Sequence, residues 1–417
     1  MQIAIVGAGI VGVATAYELA RDGHQVTVYE QRGSAAEEAS FASTALLAPA
    51  LLIPWAVPGL GGPVRRQLLG SNATLRLARG GGLDGLLWLR RWYLAGRSPQ
   101  AAARLAALQQ LADYSLARTQ AIAGELDLDV EASPGTLVLL RQLGDGARLQ
   151  AALAVLDAAG HGLKAVDADT ARLIEPGLSP DTPLAGALHA PGGLSINGRL
   201  FAQHLRQAAQ QLGVRFVFNA RVQALHARPA ALHLAGESSA RRTDAVVLCA
   251  GLASAALVRP LGLRLPMAAM HGYTISVPLR EDTHAPQGSV IDPLHRIAIT
   301  RQGQRIRVSG GAEIGPGNAN GAHHQATLQT LYLALSGWFP GGAHTASPQI
   351  QVWRGQRPTL PDGAPLLGAS GLPGLWLNTG HGACGWAHAS ASARALADAI
   401  ADRTPEVDLQ AFAASRF

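Results

Sequence analysis

Lysine is almost absent from this chain. Lys164 stands alone among 34 Lys and Arg residues, so nearly all the positive charge is arginine. Beside so many alanines, that bias reads as codon usage rather than a functional device. Cysteine is nearly as scarce: Cys249 and Cys384 are the only two, and they lie far apart. Two distant thiols make neither a disulfide framework nor a metal site, and they suit a reducing compartment. Long apolar runs are missing too. The nearest, residues 46–60, carries Pro49, Pro54 and Pro58, which would leave backbone groups unpaired in lipid. The N-terminus has no basic region ahead of its apolar stretch, so no signal peptide is expected. Neither an internal repeat nor a low-complexity tract appears. A cytoplasmic chain without a spanning helix is expected. Its 417 residues, 48% hydrophobic and 15% charged, are enough for two packed domains.

What is present begins at residue 2. The run Ile3-Ala4-Ile5-Val6 reads as a buried parallel strand, and Gln25-Val26-Thr27-Val28-Tyr29 as a second. Between them lie Gly7-Ala8-Gly9-Ile10-Val11-Gly12 and a helical pattern through Val13, Tyr17 and Leu19. Strand, glycine turn, helix and strand form the context of a dinucleotide fingerprint. Gly7 allows the tight turn, Gly9 lets a pyrophosphate approach, and Gly12 lets helix pack on strand. The helix start, with Ile10 and Val11, offers N–H groups to phosphate. Glu30, eighteen residues past Gly12, is placed to accept from ribose hydroxyls, with Gln31 and Arg32 beside it. A glycine turn in some other α/β unit is the plain alternative.

Residues 37–45 are small and hydroxyl-rich and include Ser43, Thr44 and Ala45, followed by Leu46; they could lie against a planar cofactor or form an ordinary loop. Residues 61–97 hold seven arginines and one acid, Asp84, with Trp88, Trp92, Tyr93 and several leucines among them. That composition fits an anionic membrane surface or a basic solvent loop. No nucleic-acid partner is expected. Helices are expected over about 100–125, 146–160, 199–212, 323–337 and 385–401, and turns at 175–177 and 191–193. Residues 245–249 read as a buried strand running into Ala250-Gly251, a second approach to the cofactor. Between 261 and 349 the pattern is antiparallel. The expected fold class is α/β plus antiparallel β. A discontinuous Rossmann-type domain (1–60, 165–260, 350–417) carries an inserted mixed-sheet substrate domain (61–164, 261–349).

Several stretches together resemble a known family: Glu37-Glu38-Ala39-Ser40, Pro54-Trp55-Ala56-Val57-Pro58-Gly59, Gly272-Tyr273-Thr274 and Gly311-Ala312-Glu313. The strongest are Trp353-Arg354-Gly355-Gln356-Arg357-Pro358 with Pro361-Asp362-Gly363, and Asn378-Thr379-Gly380-His381-Gly382 with Gly385-Trp386. Over nearly its whole length the chain resembles the FAD-dependent D-amino acid dehydrogenases, within the D-amino acid oxidase and glycine oxidase group. The resemblance implies FAD and a mixed sheet over one flavin face. It also implies oxidation of an amino acid to an imine, which hydrolyses to a 2-oxo acid and ammonia, with electrons passed to a quinone or another acceptor. It assigns Val222, Ala250, Gly251, Gly380, Gly382, Ala383, Gly385 and Trp386 to the cofactor site, beside the fingerprint residues and 43–46. The chain departs from the family at Ser43-Thr44-Ala45-Leu46, His271, Ala383-Cys384, Ala387-His388, Gly193 and Asn197. These positions bear on substrate and rate more than on flavin binding.

With a flavin supplying the redox chemistry, no nucleophilic triad is needed. A guanidinium pairs with an amino acid carboxylate through two prongs, and Arg357 is the candidate by its motif. Tyr273 could donate to the same carboxylate or be a core tyrosine. The backbone N–H groups of His381, Gly382 and Ala383 suit negative charge gathering on a flavin edge. His271 and His388 read as partly buried histidines. Two other functions remain open: an oxygen-using oxidase of glycine, sarcosine or a cyclic amino acid, and a flavin-binding subunit without substrate chemistry.

Overall fold

A computed structural model describes residues 1–51, 75–77, 82–142, 163–316 and 322–417. Residues 54–59, most of the arginine-rich stretch before 82, and the helix expected over 146–160 lie outside the described residues.

Two large sheets carry the fold. The first runs in the order Leu366–Ala369, Leu375–Thr379, Ala245–Leu248, Gln2–Val6, Gln25–Tyr29, Arg215–Val217. All its pairings are parallel except that of the antiparallel edge strand Leu366–Ala369. Its central strands are continuously apolar because both faces are covered. On one side the fingerprint helix Ile10–Arg21 packs with Ala101–Glu125, Gly198–Gln211 and the alanine-rich Gly385–Ile400. On the other lies a three-stranded sheet, Val222–Ala227, Ala230–Leu234 and Arg241–Arg242. The helical layer also holds a buried acid. Glu18 is 0% exposed, accepting from Arg118 (2.7 and 3.1 Å) and from Arg394 (2.9 Å), so it ties three helices together.

The second sheet runs Gln351–Thr359, Ala268–Pro278, Arg305–Ile314, Ile297–Gln302, Ser289–Asp292, Ser133–Leu140, Gly186–Ser195, Leu46–Leu47. Strand alternation divides it into two unlike faces. Tyr273, Ile275, Val277, Ile299, Ile306 and Val308 lie under the helix Ala322–Trp338. Thr274 and its equivalents on neighbouring strands face the cofactor domain, and the Thr274 hydroxyl donates to the Ala42 carbonyl at 3.1 Å.

Several expectations need correction. Gln351–Thr359, Gly186–Ser195 and Leu46–Leu47, assigned above to the cofactor domain, belong to the second sheet, because sheet partners are set by pairing across long sequence distances. Ala101–Glu125, assigned to the substrate domain, packs in the cofactor domain: Leu108, Leu111 and Ile122 join the core around the fingerprint helix. The turn expected at 191–193 is a bulge inside a strand, where three residues pass Gly135 between the pairs Pro134–Leu194 and Thr136–Ala190. Trp88 and Trp92 do not point outward. Both are buried against Met270, Ala312 and Ile314, and the exposed side of Gly82–Ala95 is leucine and arginine.

Candidate functional site

The ends of the parallel strands open into a cavity of about 680 Å³, within the range of small-molecule and cofactor sites. It runs from the acid at the end of Gln25–Tyr29 to the edge strand Gln351–Thr359 of the second sheet. At the fingerprint, Gly7 has φ +102°, and a Cβ on Gly12 would sit 2.0 Å from the Gly7 carbonyl oxygen, so neither position accepts a side chain. The Glu30 carboxylate accepts from the N–H of Ala8 at 2.7 Å and of Arg32 at 2.8 Å. Those contacts hold it at the cavity wall. The Ile10 N–H, at the helix start, meets the Ser40 hydroxyl at 3.1 Å.

Most of the site residues expected from sequence fall on this one wall. Gly7, Gly9, Ile10, Val11, Glu30, Gln31 and Arg32 line the cavity at one end. Ser43, Thr44, Leu46, Val222, Ala250 and Gly251 line its middle. Arg357, Gly380, His381, Gly382, Ala383, Gly385 and Trp386 line the far end. Three expected residues are elsewhere. Gly12 is packed behind the turn. Ala45 is buried with φ +64°, and its carbonyl accepts from the Trp386 indole N–H at 3.0 Å, fixing a ring that does line the cavity. Tyr273 is 0% exposed on the helix-covered face, where its hydroxyl donates to Glu313 at 2.9 Å. That engagement removes Tyr273 from the cavity wall.

Arg357 pairs in register with Met270, and its guanidinium lies over Gly272, where a Cβ would come within 2.3 Å of it. Gly272 is therefore the counterpart of Arg357, a link that the adjacent glycine-tyrosine motif could have suggested from sequence. Among the described residues Arg357 has one long hydrogen bond, 3.5 Å to the Gly311 carbonyl, and no acid beside it. Burial pushes its pKa down and the neighbouring Cys384 thiol pushes it back up, but an arginine stays charged. Sequence reasoning missed Thr15 and gave Ser40 only as part of the small, hydroxyl-rich stretch; both touch the site's framework. Asn378 donates to the Thr15 hydroxyl at 3.0 Å, and no periodicity marks such a pair. Burial pushes the Cys249 thiol up to about 12 and, against the pull of Arg357, that of Cys384 up to about 11, so both stay protonated.

His381 and His388 are both almost fully buried. His388 has no partner on either ring nitrogen among the described residues, and His381 has none on Nε2. Burial, with the neighbouring His388, lowers His381 to about 3, and burial lowers His388 to about 4. In the unfolded chain both titrate near 6.5. Between those values the unfolded chain takes up protons that the folded chain refuses. Stability is therefore full above about pH 6.5 and falls as the pH drops toward 4, by up to about 1.4 kcal/mol per pH unit for each histidine. Thermal unfolding followed from pH 7 to 4 should show a fall in that direction, to which the lowered His24, His189, His271 and His323 also contribute, and His388→Leu should make it shallower. An unchanged slope in the variant would assign the acid sensitivity to other groups.

The cavity's residues fit a flavin dinucleotide: a side-chain-free cradle at a helix start, an acid held at the adjoining strand end, and a continuous cleft leading to a buried arginine. The same cofactor is indicated by comparison with known proteins. The chain is 38% identical to a D-amino acid dehydrogenase of Cereibacter sphaeroides, covering 98% of this chain and 93% of that protein. It is 36% identical to one of Sinorhizobium medicae, covering 100% of both. A solved structure of glycine oxidase from Geobacillus kaustophilus has the same fold, with a TM-score of 0.76 at 20% identity over 100% of this chain and 98% of that one. The model of the FAD dependent oxidoreductase family matches residues 2–399, and the chain belongs to that family.

Proposed function

We propose that this chain oxidises D-amino acids to 2-oxo acids and ammonia and passes the electrons to a quinone or another acceptor other than oxygen. The observation that carries the reading is Arg357: a buried cation at the cavity end, without an acid partner among the described residues, and spread over a glycine that leaves it room. A substrate carboxylate supplies the missing charge. FAD, when bound, supplies the acceptor for the hydride leaving Cα. Arg357 fixes the carboxylate, and Trp353 stacks on Phe41 at 6.3 Å between ring centroids to close the wall beside it. His381, Gly382 and Ala383 line the end of the cavity, where their backbone N–H groups would suit negative charge on a flavin edge. Carboxylate, wall and donors together orient Cα–H and exclude water. The two full-length relatives carrying the dehydrogenase name support the same reading.

The test is product formation. Purified protein, D-alanine and an artificial electron acceptor should yield pyruvate and ammonia in equal amounts, with L-alanine inactive. Turnover that needs oxygen alone would replace the dehydrogenase with an oxidase, and silence toward a broad panel would leave a flavin-binding subunit.

The acceptor bears on the surface. No helix among the described residues is long and apolar enough to cross a membrane. Gly82–Ala95 exposes Leu83, Leu86, Leu87 and Leu94, beside Arg90, Arg91 and Arg97. Leucines with arginines between them suit the interface of an anionic bilayer, where each basic residue contributes about 1 kcal/mol. Cosedimentation with anionic vesicles should be strong at low salt and weaken at high salt. No binding at low salt removes this part of the proposal.

A further inference from the structure

Two glycines stand directly opposite each other at the edge of the second sheet: Gly272 of Ala268–Pro278 and Gly355 of Gln351–Thr359. Opposed residues of antiparallel strands share a face, with Cα atoms about 4.5–5.5 Å apart. The Arg357 guanidinium fills the space over Gly272. The indole of Trp353 fills the space over Gly355, where a Cβ would overlap its Cη2, Cζ2 and Cζ3 atoms. Cation and ring edge therefore lie side by side on one face, over a floor without side chains of its own. Both Trp353 and Arg357 line the cofactor cavity.

The indole is held in place. Phe41 stacks on it with ring centroids 6.3 Å apart and planes 23° apart, and the Arg199 guanidinium lies 4.0 Å from the Phe41 centroid. The chain around Phe41 is pinned to the same sheet face. Thr274, opposite Trp353, donates to the Ala42 carbonyl at 3.1 Å, and Arg307 donates to the Ser43 carbonyl at 3.2 Å. This crossing segment separates the Arg357 end of the face from Arg307, which pairs further along with Ser276. Arg354, the other cation of the edge strand, is directed to the helix-covered face, 3.6 Å from Glu313 and near the Tyr273 ring. A substrate held by Arg357 thus meets an aromatic surface beside its carboxylate, with the next cations screened or turned away.

We infer that Trp353 receives the substrate side chain, so that the preferred substrates are D-amino acids with neutral, apolar side chains. This rests on the proposed deamination and narrows its substrate class. Trp353 is the residue that determines specificity, and Gly355 positions it, since any side chain there would displace the ring. An apolar side chain buries its surface against the indole. An amide or a charge of similar shape would give up water at that wall without gaining a partner. An aromatic side chain adds ring-on-ring contact.

The experiment compares D-leucine with D-asparagine, close in shape and unlike in polarity, by anaerobic reduction of the holoenzyme's flavin. The parent's kcat/KM should be at least about tenfold higher for D-leucine, with D-phenylalanine also above D-asparagine. Trp353→Ala should bring the leucine-to-asparagine ratio to within about threefold of one, whatever happens to the absolute rates. Trp353→Phe should keep most of the preference. Gly355→Ala retains the indole but displaces it, and should lower the ratio as Trp353→Ala does, with an intact flavin spectrum. Binding without turnover gives a second readout: 4-methylpentanoate should perturb the parent's flavin band at lower concentration than succinamate, and the two should converge in Trp353→Ala. A parent that is reduced equally well or better by D-asparagine would overturn the inference and leave deamination standing. So would a parental ratio in both Trp353→Ala and Gly355→Ala. A flavin that no amino acid reduces overturns the deamination itself.

Discussion

Arg357→Ala should lose roughly 30-fold to several thousand-fold in kcat/KM toward a good D-amino acid substrate, while keeping its flavin spectrum. Removing one partner of a buried, hydrogen-bonded charge pair costs about 2–5 kcal/mol, much of it from the carboxylate left desolvated. The three atoms nearest a Cβ at Gly272 all belong to Arg357, whose hydrogen bond among the described residues is to the Gly311 carbonyl at 3.5 Å. The loss should fall on kcat/KM as a whole, since the same contact that binds the carboxylate also orients Cα–H. Arg357→Lys should recover only part, because a point charge cannot reproduce the guanidinium fork. Turnover of an amine lacking a carboxylate should be poor in the parent and little changed in the variant. Parental kcat/KM in Arg357→Ala would mean that the carboxylate is bound elsewhere.

The second large effect is on stability. Glu18→Ala should destabilise the chain by about 3–5 kcal/mol, since it strips a buried acid from two arginines that remain. Arg118 would keep only Glu125, at 3.6 Å, whereas Arg394 would still reach Asp22 and Asp398. Arg118 is therefore the group left most exposed to the loss, with its side chain 15% accessible. The same three helices pack behind the fingerprint turn, so the variant should lose its cofactor on mild heating before the parent does. Glu18→Gln keeps the shape and some hydrogen bonds and should fall between the two. Differential scanning measurements on all three proteins decide the point. Equal unfolding temperatures would show that the network contributes nothing net.

The cofactor half of this fold was legible from residues because its signals are local. Strand, glycine turn, helix and acid fall within residues 2–30, and each has a separate physical reason to be there. Arg357 is singled out for a different reason, its motif, and it lies at the cavity end over Gly272. Of the two readings of Tyr273 the structure takes the core one, because alternation assigns a residue to one of two faces without saying which face a helix will cover. The bulge at 191–193 looked like a turn because proline and glycine mark both, and only pairing with Gly135 separates them. The domain boundaries failed where strands distant in sequence joined the second sheet, since pairing of that kind leaves no local trace. Trp88 and Trp92 sit in a composition that suits a membrane surface or a solvent loop, yet their partners Met270 and Ile314 lie far along the chain. Glu18 gave no warning at all: a glutamate on a helix reads as solvent-facing until two arginines from other helices reach it.

The central claim is that this cavity brings the α-carbon of a D-amino acid to a bound flavin. The most direct measurement mixes the purified holoenzyme with D- and L-enantiomers of one amino acid, without oxygen, and follows the flavin's visible absorbance. The account expects the band to bleach with the D-enantiomer, to persist with the L-enantiomer, and to return slowly on admitting air but quickly on adding a quinone. Bleaching by the L-enantiomer alone, or by neither enantiomer across a panel of side chains, would contradict it.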